Sequence, residues 1–467
     1  VFTTPIPPLD PKGCDLISSS GATAVFLLEA GIELGLKFSS VISVGNSAQA
    51  GIEEVLAHMD TYFDAKTGSR TKLLYLESVS NPAKFLKHAS SLVQKGARIA
   101  AIKAGHTEAG SRAAASHTGA LANPDLAVRA LFQKAGVVQC FGRQELLSVA
   151  ALLTYPELKG RNIAVITHAG GPAVMLTDAL AGGGLKVPVI EGPVADELLA
   201  QLNPGSSVSN PIDFLATGSA KQLGLIMDYC EDRFDHIDAM VVIFGSPGLF
   251  DVAEVYELLR EKMRSCNKPV YPVLPSVINA RAGIDAFRSA GHACFTDEVV
   301  LAHALCTVNK TPQPASARPV LPGIDTEQVR VIIEGAEDGF LSPREVGVLL
   351  DAAGLPRLDE QVLTTSASIE QPEKPFTFPL AMKVIGPVHK SDVGGVVLDV
   401  GSAKEVHRHF DKLMQIEGAT GVLVQAMAGG VELFAGIKSE PGFGHLVLCG
   451  LGGVLVEVLG DFSSSLA

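Results

Sequence analysis

Apolar segments of strand length alternate with helical patterns from residue 15 to residue 306, and this alternation constrains the fold more than any other feature of the chain. In the first part of the chain such segments occupy 15–17, 41–45, 72–76 and 98–103. Strands that alternate with helices indicate a parallel, doubly wound sheet. In sheets of this kind, ligands bind beyond the carboxyl ends of the strands. The sequence therefore predicts an α/β fold whose functional residues follow the strands.

One unit of this pattern occurs twice. The strand 15–17 leads into Ser18-Ser19-Ser20-Gly21 and a helix, and the strand 162–167 leads into His168-Ala169-Gly170-Gly171 and a second helix. A turn rich in Ser or Gly leaves backbone amides free at the helix N-terminus, where they can hold an anion. We hypothesise that the two helix N-termini face each other across a domain interface and point at one phosphate. Each turn taken alone is also typical of a purely structural connection.

The segment Ser116-His117-Thr118-Gly119 lies in a stretch rich in Gly and Ala that follows the strand ending at Lys103. This composition predicts a loop between that strand and a helix that starts near Asp125. An imidazole on a flexible loop, beside hydroxyls and backbone amides, is placed so that a phosphoryl group can be passed to it. A loop histidine without a catalytic role is the alternative interpretation.

Glu77 ends the strand 72–76 at the same predicted edge as Ser20 and the loop after Lys103. A carboxylate that accepts an imidazole N–H fixes the tautomer and stabilises positive charge on the ring. Glu77 is therefore the candidate partner of His117, and a solvated glutamate at the end of a strand is the alternative. No task is assigned to three further residues near predicted strand ends, namely His106, His168 and Asp213.

The proline-rich run 311–323 predicts an exposed linker that marks a domain boundary. Beyond it, Ser342 to Glu345 has the pattern of a capped helix start, with Pro at the first helical position. The strand 380–385 carries Lys383, and a turn rich in glycine follows it. A lysine projecting from a strand beside glycines suits nucleotide phosphates, although such a pattern is weak evidence by itself.

Composition excludes several classes of protein. The formal net charge of −13 argues against nucleic acid and anionic membrane surfaces as main partners. The seven cysteines show no C-x-x-C spacing, so we expect reduced thiols in a cytoplasm, without a disulfide framework or zinc site. No uninterrupted apolar run reaches the length of a membrane-spanning helix, so no membrane span is predicted.

The segment around His117, together with several other motifs in the expected order, resembles the phosphohistidine loop of the NDP-forming acyl-CoA synthetases. This superfamily includes succinyl-CoA synthetase and the ADP-forming acetate–CoA ligases, and the resemblance covers essentially all 467 residues. It implies two flavodoxin-like doubly wound domains and a partial ATP-grasp domain. The expected boundaries are 1–155 and 156–310 for the flavodoxin-like domains, 311–323 for the linker, and 324–467 for the N-terminal part of the ATP-grasp domain.

The resemblance also implies roles for individual residues. His117 would carry the phosphoryl group and Glu77 would orient it, while His389 matches a second histidine that relays phosphate in the ADP-forming acetyl-CoA synthetase branch. The expected phosphate-binding residues are Ser20, Gly21, Gly170 and Gly171, and the expected nucleotide-binding residues are Lys383, Gly394 and Gly395.

The implied activity is that of an ADP-forming acid–CoA ligase, which uses ATP or ADP, CoA, a small carboxylic acid and Mg²⁺ and forms a homo-oligomer. Two features of the family are missing from the sequence. A CoA-binding domain normally precedes the segment that starts near Pro8, and the carboxylate and asparagine that hold magnesium normally lie beyond Ala467. We therefore expect incomplete CoA and metal sites in these residues and name no metal ligands.

Two other classes of protein are alternatives to a ligase. A non-catalytic regulatory module, as in protein acetyltransferases fused to an acyl-CoA-synthetase-like region, would need no phosphoryl acceptor, so the presence of His117 and Glu77 argues against it. A dinucleotide-binding oxidoreductase would carry a G-x-G-x-x-G turn after the first strand. The turn at 18–21 lacks that pattern.

Overall fold

The computed structural model describes residues 7–47, 49–118, 124–246, 252–315, 323–387, 390, 392–453 and 462–467, and within 114–118 it describes the backbone alone. The chain divides into two compact units. One unit comprises residues 1–316 together with 434–467, and the other comprises residues 317–433.

The first unit begins with a flavodoxin-like domain, whose five strands lie in the order β2-β1-β3-β4-β5. Its elements are β1 (Cys14–Ser18), α1 (Gly21–Glu33), β2 (Phe38–Ser43), α2 (Ile52–Tyr62), β3 (Thr71–Leu76), α3 (Pro82–Gln94), β4 (Arg98–Lys103), α4 (Glu108–Thr118), α5 (Asp125–Ala135), β5 (Val137–Cys140) and α6 (Arg143–Leu153).

Successive residues of β1 point into two different hydrophobic cores, because helices cover both faces of this sheet. Leu16 packs into the core formed with α1 and α6, whereas Ile17 packs into the core formed with α2, α3 and α5. All strand pairs are parallel. The doubly wound sheet that the alternating pattern predicts is thereby confirmed.

A second flavodoxin-like domain follows, with four parallel strands in the order β7-β6-β8-β9. Its elements are β6 (Ile163–Thr167), α7 (Gly170–Gly182), α8 (Pro193–Leu199), β7 (Ile212–Asp213), α9 (Ala220–Asp232), β8 (Ala239–Ile243), α10 (Ala253–Ser265), β9 (Val270–Val273), α11 (Arg281–Ser289) and α12 (Glu298–Lys310). Helix α12 packs against both α6 and α7. One continuous core therefore contains residues of both domains, including Leu16 and Val165.

The segment after β4 differs from the expected loop, because residues Glu108–Thr118 form helix α4. Alanine has the highest helix propensity of all residues, and three consecutive alanines, 113–115, occupy the middle of this segment. Arg112 Nη1 also donates a hydrogen bond to Glu108 Oε1, four residues earlier, at 2.6 Å, and pairs at this spacing stabilise helices. The expectation of a loop is therefore wrong, and the backbone of His117 lies in the last turn of a helix.

The second unit contains a four-stranded sheet in the order β10-β13-β11-β12, in which the described strand pairs are antiparallel. Its elements are α13 (Thr326–Gly335), α14 (Pro343–Ala352), β10 (Glu360–Leu363), α15 (Ala367–Glu370), β11 (Leu380–Ile385), β12 (Val396–Val400), α16 (Ala403–Leu413) and β13 (Gly421–Ala426). The predicted cap of α14 is present, since Ser342 Oγ accepts from the Glu345 amide at 3.3 Å and Glu345 Oε2 accepts from the Ser342 amide at 2.7 Å.

A three-stranded sheet near the end of the chain packs with the first unit. Its strands are β14 (Leu433–Glu440), β15 (Gly444–Leu451) and β16 (Phe462–Leu466). Leu446 and Leu466 are buried in the core that also contains α5, and Lys134 Nζ donates to the Leu466 carbonyl oxygen at 2.9 Å. Residues 434–467 thus belong to the first compact unit, and the expected boundaries of the domain 324–467 stay a prediction.

All seven cysteines are free thiols, and Cys449 alone among them is exposed. In the described ranges, none of the helices combines the length and the apolar character that crossing a lipid bilayer requires.

A buried carboxylate joins α2 to α3. Asp60 accepts hydrogen bonds from His88 Nδ1 at 2.9 Å, from Ser91 Oγ at 2.7 Å and from Lys95 Nζ at 2.7 Å. Burial raises the pKa of Asp60, but the hydrogen bonds from Lys95, His88 and Ser91 outweigh burial and hold the pKa below its ordinary value. The ionised carboxylate thus stabilises the contact between the two helices.

We expect Asp60→Asn to lower the free energy of unfolding by about 1–3 kcal/mol near pH 7, since it removes a charged acceptor from buried donors. A carboxylate whose pKa is lowered by folding stabilises the fold above its ordinary pKa, and this contribution disappears as the pH falls through the lowered pKa. The difference from wild type should therefore shrink below about pH 4. Urea unfolding followed by circular dichroism measures this difference in the free energy of unfolding, with the exposed Glu29→Gln as control. If Asp60→Asn were as stable as wild type near neutral pH, this role would be contradicted.

Candidate active site

The same pair of hydrogen bonds builds both strand–turn–helix units. In the first unit, Ser18 Oγ donates to the Ser20 carbonyl oxygen at 2.7 Å and accepts from the Ser20 amide at 3.1 Å. In the second, Thr167 Oγ1 donates to the Ala169 carbonyl oxygen at 2.9 Å and accepts from the Ala169 amide at 3.0 Å. Ser18 and Thr167 are fully buried at the ends of β1 and β6. The two units are thus equivalent in hydrogen bonding as well as in sequence pattern.

The first turn leaves two backbone amides free at the start of α1. Ser20 is the N-cap residue, and its Oγ accepts from the Thr23 amide at 3.3 Å. Within the described part of the chain, the amides of Gly21 and Ala22 have no hydrogen-bond acceptor. Such amides carry partial positive charge, which the helix dipole reinforces. The start of α1 is therefore suited to bind an anion such as phosphate.

The start of α7 is more exposed to solvent than the start of α1. Its N-cap residue is Ala169, which provides no side-chain cap, and Gly170 and Gly171 are exposed. A side-chain carbon at Gly170 would lie 3.5 Å from Asp213 Oδ2, so this carboxylate approaches the helix start. The convergence of the two helix starts on one phosphate stays a prediction.

His168, in the second turn, is held against the second sheet. Its ring stacks on Phe244 with the ring centroids 4.4 Å apart, and its Nδ1 lies 3.4 Å from the Ile243 carbonyl oxygen. Burial lowers the pKa of His168, although the backbone carbonyl groups and the charge of Asp213 oppose this effect. A neutral ring packed in this way supports the backbone of the turn.

Glu77 directly follows β3, and hydrogen bonds join the end of β3 to the turn 18–21 and to the start of α1. The Ser19 amide donates to the Tyr75 carbonyl oxygen at 2.9 Å, and the Tyr75 side chain hydrogen-bonds to Thr23 in the first turn of α1. Burial raises the pKa of Tyr75, and the nearby charge of Glu77 raises it further. Glu77, Tyr75 and the start of α1 therefore lie together at the carboxyl edge of the sheet.

Strand β4 brings the segment of His117 to the same edge. Leu76 pairs with Lys103, and the Ala104 amide donates to the Leu76 carbonyl oxygen at 2.8 Å. Lys103 is buried, its Nζ donates to the Gly105 carbonyl oxygen at 3.0 Å, and burial lowers its pKa. The side chain of His117 lies outside the described part of the chain, so its pairing with Glu77 stays a prediction.

Lys383 projects from β11 in the second unit and belongs to a row of polar side chains on neighbouring strands. Its Nζ donates to Gln425 Oε1 at 2.9 Å, and Gln425 Nε2 donates to Glu360 Oε2 at 2.5 Å. This row fixes the position of the ammonium group. A fixed ammonium group is suited to a nucleotide phosphate as a point charge.

The glycines after β11 have a structural explanation of their own. Gly394 has a φ of +66°, which favours glycine. A side-chain carbon at Gly395 would lie 2.4 Å from Val384 Cγ1 and 2.8 Å from the Lys390 carbonyl oxygen, so only glycine fits there. Close packing alone accounts for Gly395, and nucleotide binding by either glycine stays a prediction. His389, the expected second histidine, lies outside the described residues.

The described residues contain no cluster of metal-ligating side chains. Across the described ranges, no three His, Cys, Asp or Glu side chains come together in a way that could hold a metal ion. We therefore assign no metal ligands.

Sequence reasoning did not single out Ser18, Thr167 and Tyr75 as parts of the site. A signal for the first two was present, because aligning the two units places a hydroxyl residue at the end of each strand. No comparable signal existed for Tyr75, whose contacts with Thr23 and Glu77 depend on the pairing of β1 with β3.

Two domain families match the chain. Residues 11–153 match the succinyl-CoA ligase like flavodoxin domain, and residues 333–467 match an ATP-grasp domain. Over 97% of its length the chain is 30% identical to acetate–CoA ligase [ADP-forming] I of Archaeoglobus fulgidus and 26% identical to 4-hydroxybutyrate–CoA ligase [ADP-forming] of Nitrosopumilus maritimus. The chain spans 66% of the length of each of these relatives.

A solved structure also shares the fold. The dinucleotide-forming acetyl-coenzyme A synthetase 1 of Ca. Korarchaeum cryptofilum, in complex with phosphate and ADP, superposes with a TM-score of 0.58 at 23% identity and with 65% of each chain covered. At this level of identity the likeness concerns the fold alone. Because a succinyl-CoA-ligase-like flavodoxin domain precedes an ATP-grasp domain in one chain, and because near full-length similarity joins it to ADP-forming acid–CoA ligases, the chain belongs to the superfamily of NDP-forming acyl-CoA synthetases.

Proposed function

We propose that the chain belongs to an ADP-forming acid–CoA ligase, which interconverts acyl-CoA, ADP and phosphate with a carboxylic acid, CoA and ATP. The observation that carries the proposal is the turn 18–21, where the free amides of Gly21 and Ala22 lie at the same edge of the sheet as Glu77 and the end of β4, which the segment of His117 follows. The names of the relatives from Archaeoglobus and Nitrosopumilus support the same activity.

In this proposal the reaction proceeds in three steps, through which inorganic phosphate becomes the terminal phosphate of ATP. Phosphate attacks the thioester of acyl-CoA, so that acyl phosphate forms and the CoA thiolate leaves. A ring nitrogen of His117 then attacks the phosphorus of the acyl phosphate, and the carboxylate leaves. ADP finally takes the phosphoryl group from His117 by way of His389, which forms ATP and restores both free imidazoles.

The chain contributes mainly position and electrostatic stabilisation, as is general for phosphoryl transfer. The free amides at the starts of α1 and α7 stabilise the charge of the phosphoryl group, which carries close to two negative charges near neutral pH. Glu77 accepts the N–H of the His117 ring, so that the other ring nitrogen is the nucleophile. In the second unit, Lys383 binds a nucleotide phosphate and His389 relays the phosphoryl group. CoA would supply the thiol as a substrate, and Mg²⁺ bound with the nucleotide would neutralise phosphate charge.

The regulatory-module alternative receives no support from the relatives described above, whose names are those of ligases. A homo-oligomeric assembly and a cytoplasmic location, where thiols remain reduced, belong to the same proposal.

The products distinguish the proposed reaction from that of AMP-forming ligases. We expect the intact protein, given acetate, CoA, ATP and Mg²⁺, to release ADP and phosphate together with acyl-CoA. Phosphorus NMR of the reaction mixture identifies the nucleotide directly, and a short series of carboxylic acids covers the unknown acyl group. Release of AMP and pyrophosphate, or no acyl-CoA from any acid of the series, would overturn the proposal.

A further inference from the structure

A cavity of about 970 Å³ lies at the edge of the first sheet opposite the candidate active site. Its lining includes Cys14, Thr71 and Arg98, which are the first residues of β1, β3 and β4. The connection 154–158 between the two flavodoxin-like domains also lines the cavity, as do Thr311 and Gln313 at the start of the linker. Strands of this length span about 17–20 Å, so a ligand in this cavity would not touch the carboxyl edge.

The charge of this cavity is opposite in sign to that of the whole chain. The lining contains four cations, Lys12, Lys66, Arg70 and Arg98, whereas Glu157 is its single carboxylate. The whole chain, in contrast, has a formal net charge of −13. As far as the structure describes the chain, none of the four cations takes part in an ion pair. The cavity is therefore a concentrated positive site on a negatively charged protein.

Arg98 is the most buried of these cations. Its Nη2 donates to the Tyr155 carbonyl oxygen at 2.7 Å, while its Nε is shielded from solvent and has no hydrogen-bond partner among the described residues. Burial lowers the pKa of Arg98, the charge of Arg70 lowers it further, and Glu157 opposes both. A desolvated guanidinium without an anionic partner is unfavourable, and an anion beside it would offset that cost.

We propose that this cavity binds a small phosphorylated molecule, with its phosphoryl groups held by Arg98 and Arg70. Arginine presents a planar set of donors that matches phosphate in a bidentate manner. A volume of about 970 Å³ is within the range of about 300–1,000 Å³ that small-molecule sites occupy. The site is separate from the proposed ligase reaction, and it binds its ligand whether or not the protein turns over acyl-CoA.

A fluorescent reporter at the cavity tests this proposal. The sequence contains no tryptophan, so Gln313→Trp adds a local signal at an exposed lining residue. The probes are pyrophosphate and ADP, with citrate as a carboxylate of similar charge, and the signal is the difference between the Gln313→Trp protein and its parent. We expect saturable titration by pyrophosphate or ADP, weakened by added salt, and weak or absent titration by citrate.

Variants of the cations separate this cavity from the active site. Arg98→Gln and Arg70→Gln should each raise the dissociation constant about tenfold or more. Lys159→Gln, an exposed lysine outside the cavity lining, should leave it unchanged. Because Arg98→Gln also removes the contact with Tyr155, Arg70→Gln provides a second variant, in which an exposed side chain loses its hydrogen bond to the Gly96 carbonyl oxygen at 3.1 Å. Titration that neither replacement weakens, equal affinity for citrate, or no saturable signal would overturn the proposal.

Discussion

Replacement of His117 by alanine is expected to abolish phosphorylation of the protein and to lower the rate of acyl-CoA formation by at least about 10³-fold, since the variant lacks the nucleophile on which the phosphoryl group travels. The intact protein is incubated with γ-labelled ATP and Mg²⁺, and the label on the protein is counted after denaturation. In wild type the label should be labile in acid and stable in alkali, as a phosphoramidate is.

His106 provides the matched control for this experiment. It is an exposed histidine between β4 and α4 whose ring packs on Phe141 with the ring centroids 5.3 Å apart. His106→Ala should retain both label and activity. If His117→Ala retained the wild-type level of label, the assignment would fail, unless peptide mapping placed that label on His389.

Glu77→Gln is expected to lower phosphorylation of the protein by about 10²-fold or more, as for other groups that orient an acid–base or nucleophilic partner. The replacement keeps the size of the side chain and removes the charge that stabilises the phosphorylated ring. The initial rate of label incorporation measures the effect.

Folding of Glu77→Gln should be unaffected, because Glu77 is only half-buried and follows the last residue of β3. Thermal midpoints and circular dichroism spectra equal to those of wild type would establish this. Glu29→Gln, which replaces an exposed carboxylate on α1, is the control for general loss of charge. If Glu77→Gln incorporated label at the rate of wild type, Glu77 would be only a residue at the end of a strand.

The elements of the two flavodoxin-like domains were predictable because local patterns determine them. Strand β4 (Arg98–Lys103) and helix α3 (Pro82–Gln94) begin and end within one residue of the positions that the apolar runs and the helical periodicity predict. The capped start of α14 at Ser342 was equally local. The parallel order then places Ser20, Glu77 and the segment after Lys103 at one edge, since all three follow strands of the same sheet.

Features that depend on contacts between distant residues were not predictable. The packing of Leu446 and Leu466 beside α5 joins residues more than three hundred positions apart in sequence, and no local pattern indicates it. Helix α4 was missed for another reason, because glycine and serine between its alanines resemble a loop although the alanines favour a helix. Tyr75 entered the site only through the pairing of β1 with β3.

The central claim is that one phosphohistidine serves both halves of the reaction, and a chase experiment tests it most directly. The protein is labelled with γ-labelled ATP, freed of nucleotide and divided between two reactions. We predict that ADP removes the label as ATP, and that a carboxylic acid with CoA removes it as inorganic phosphate with formation of acyl-CoA, both from a peptide that contains His117. Discharge by only one of the two partners, or no label on the peptide that contains His117, would contradict the account.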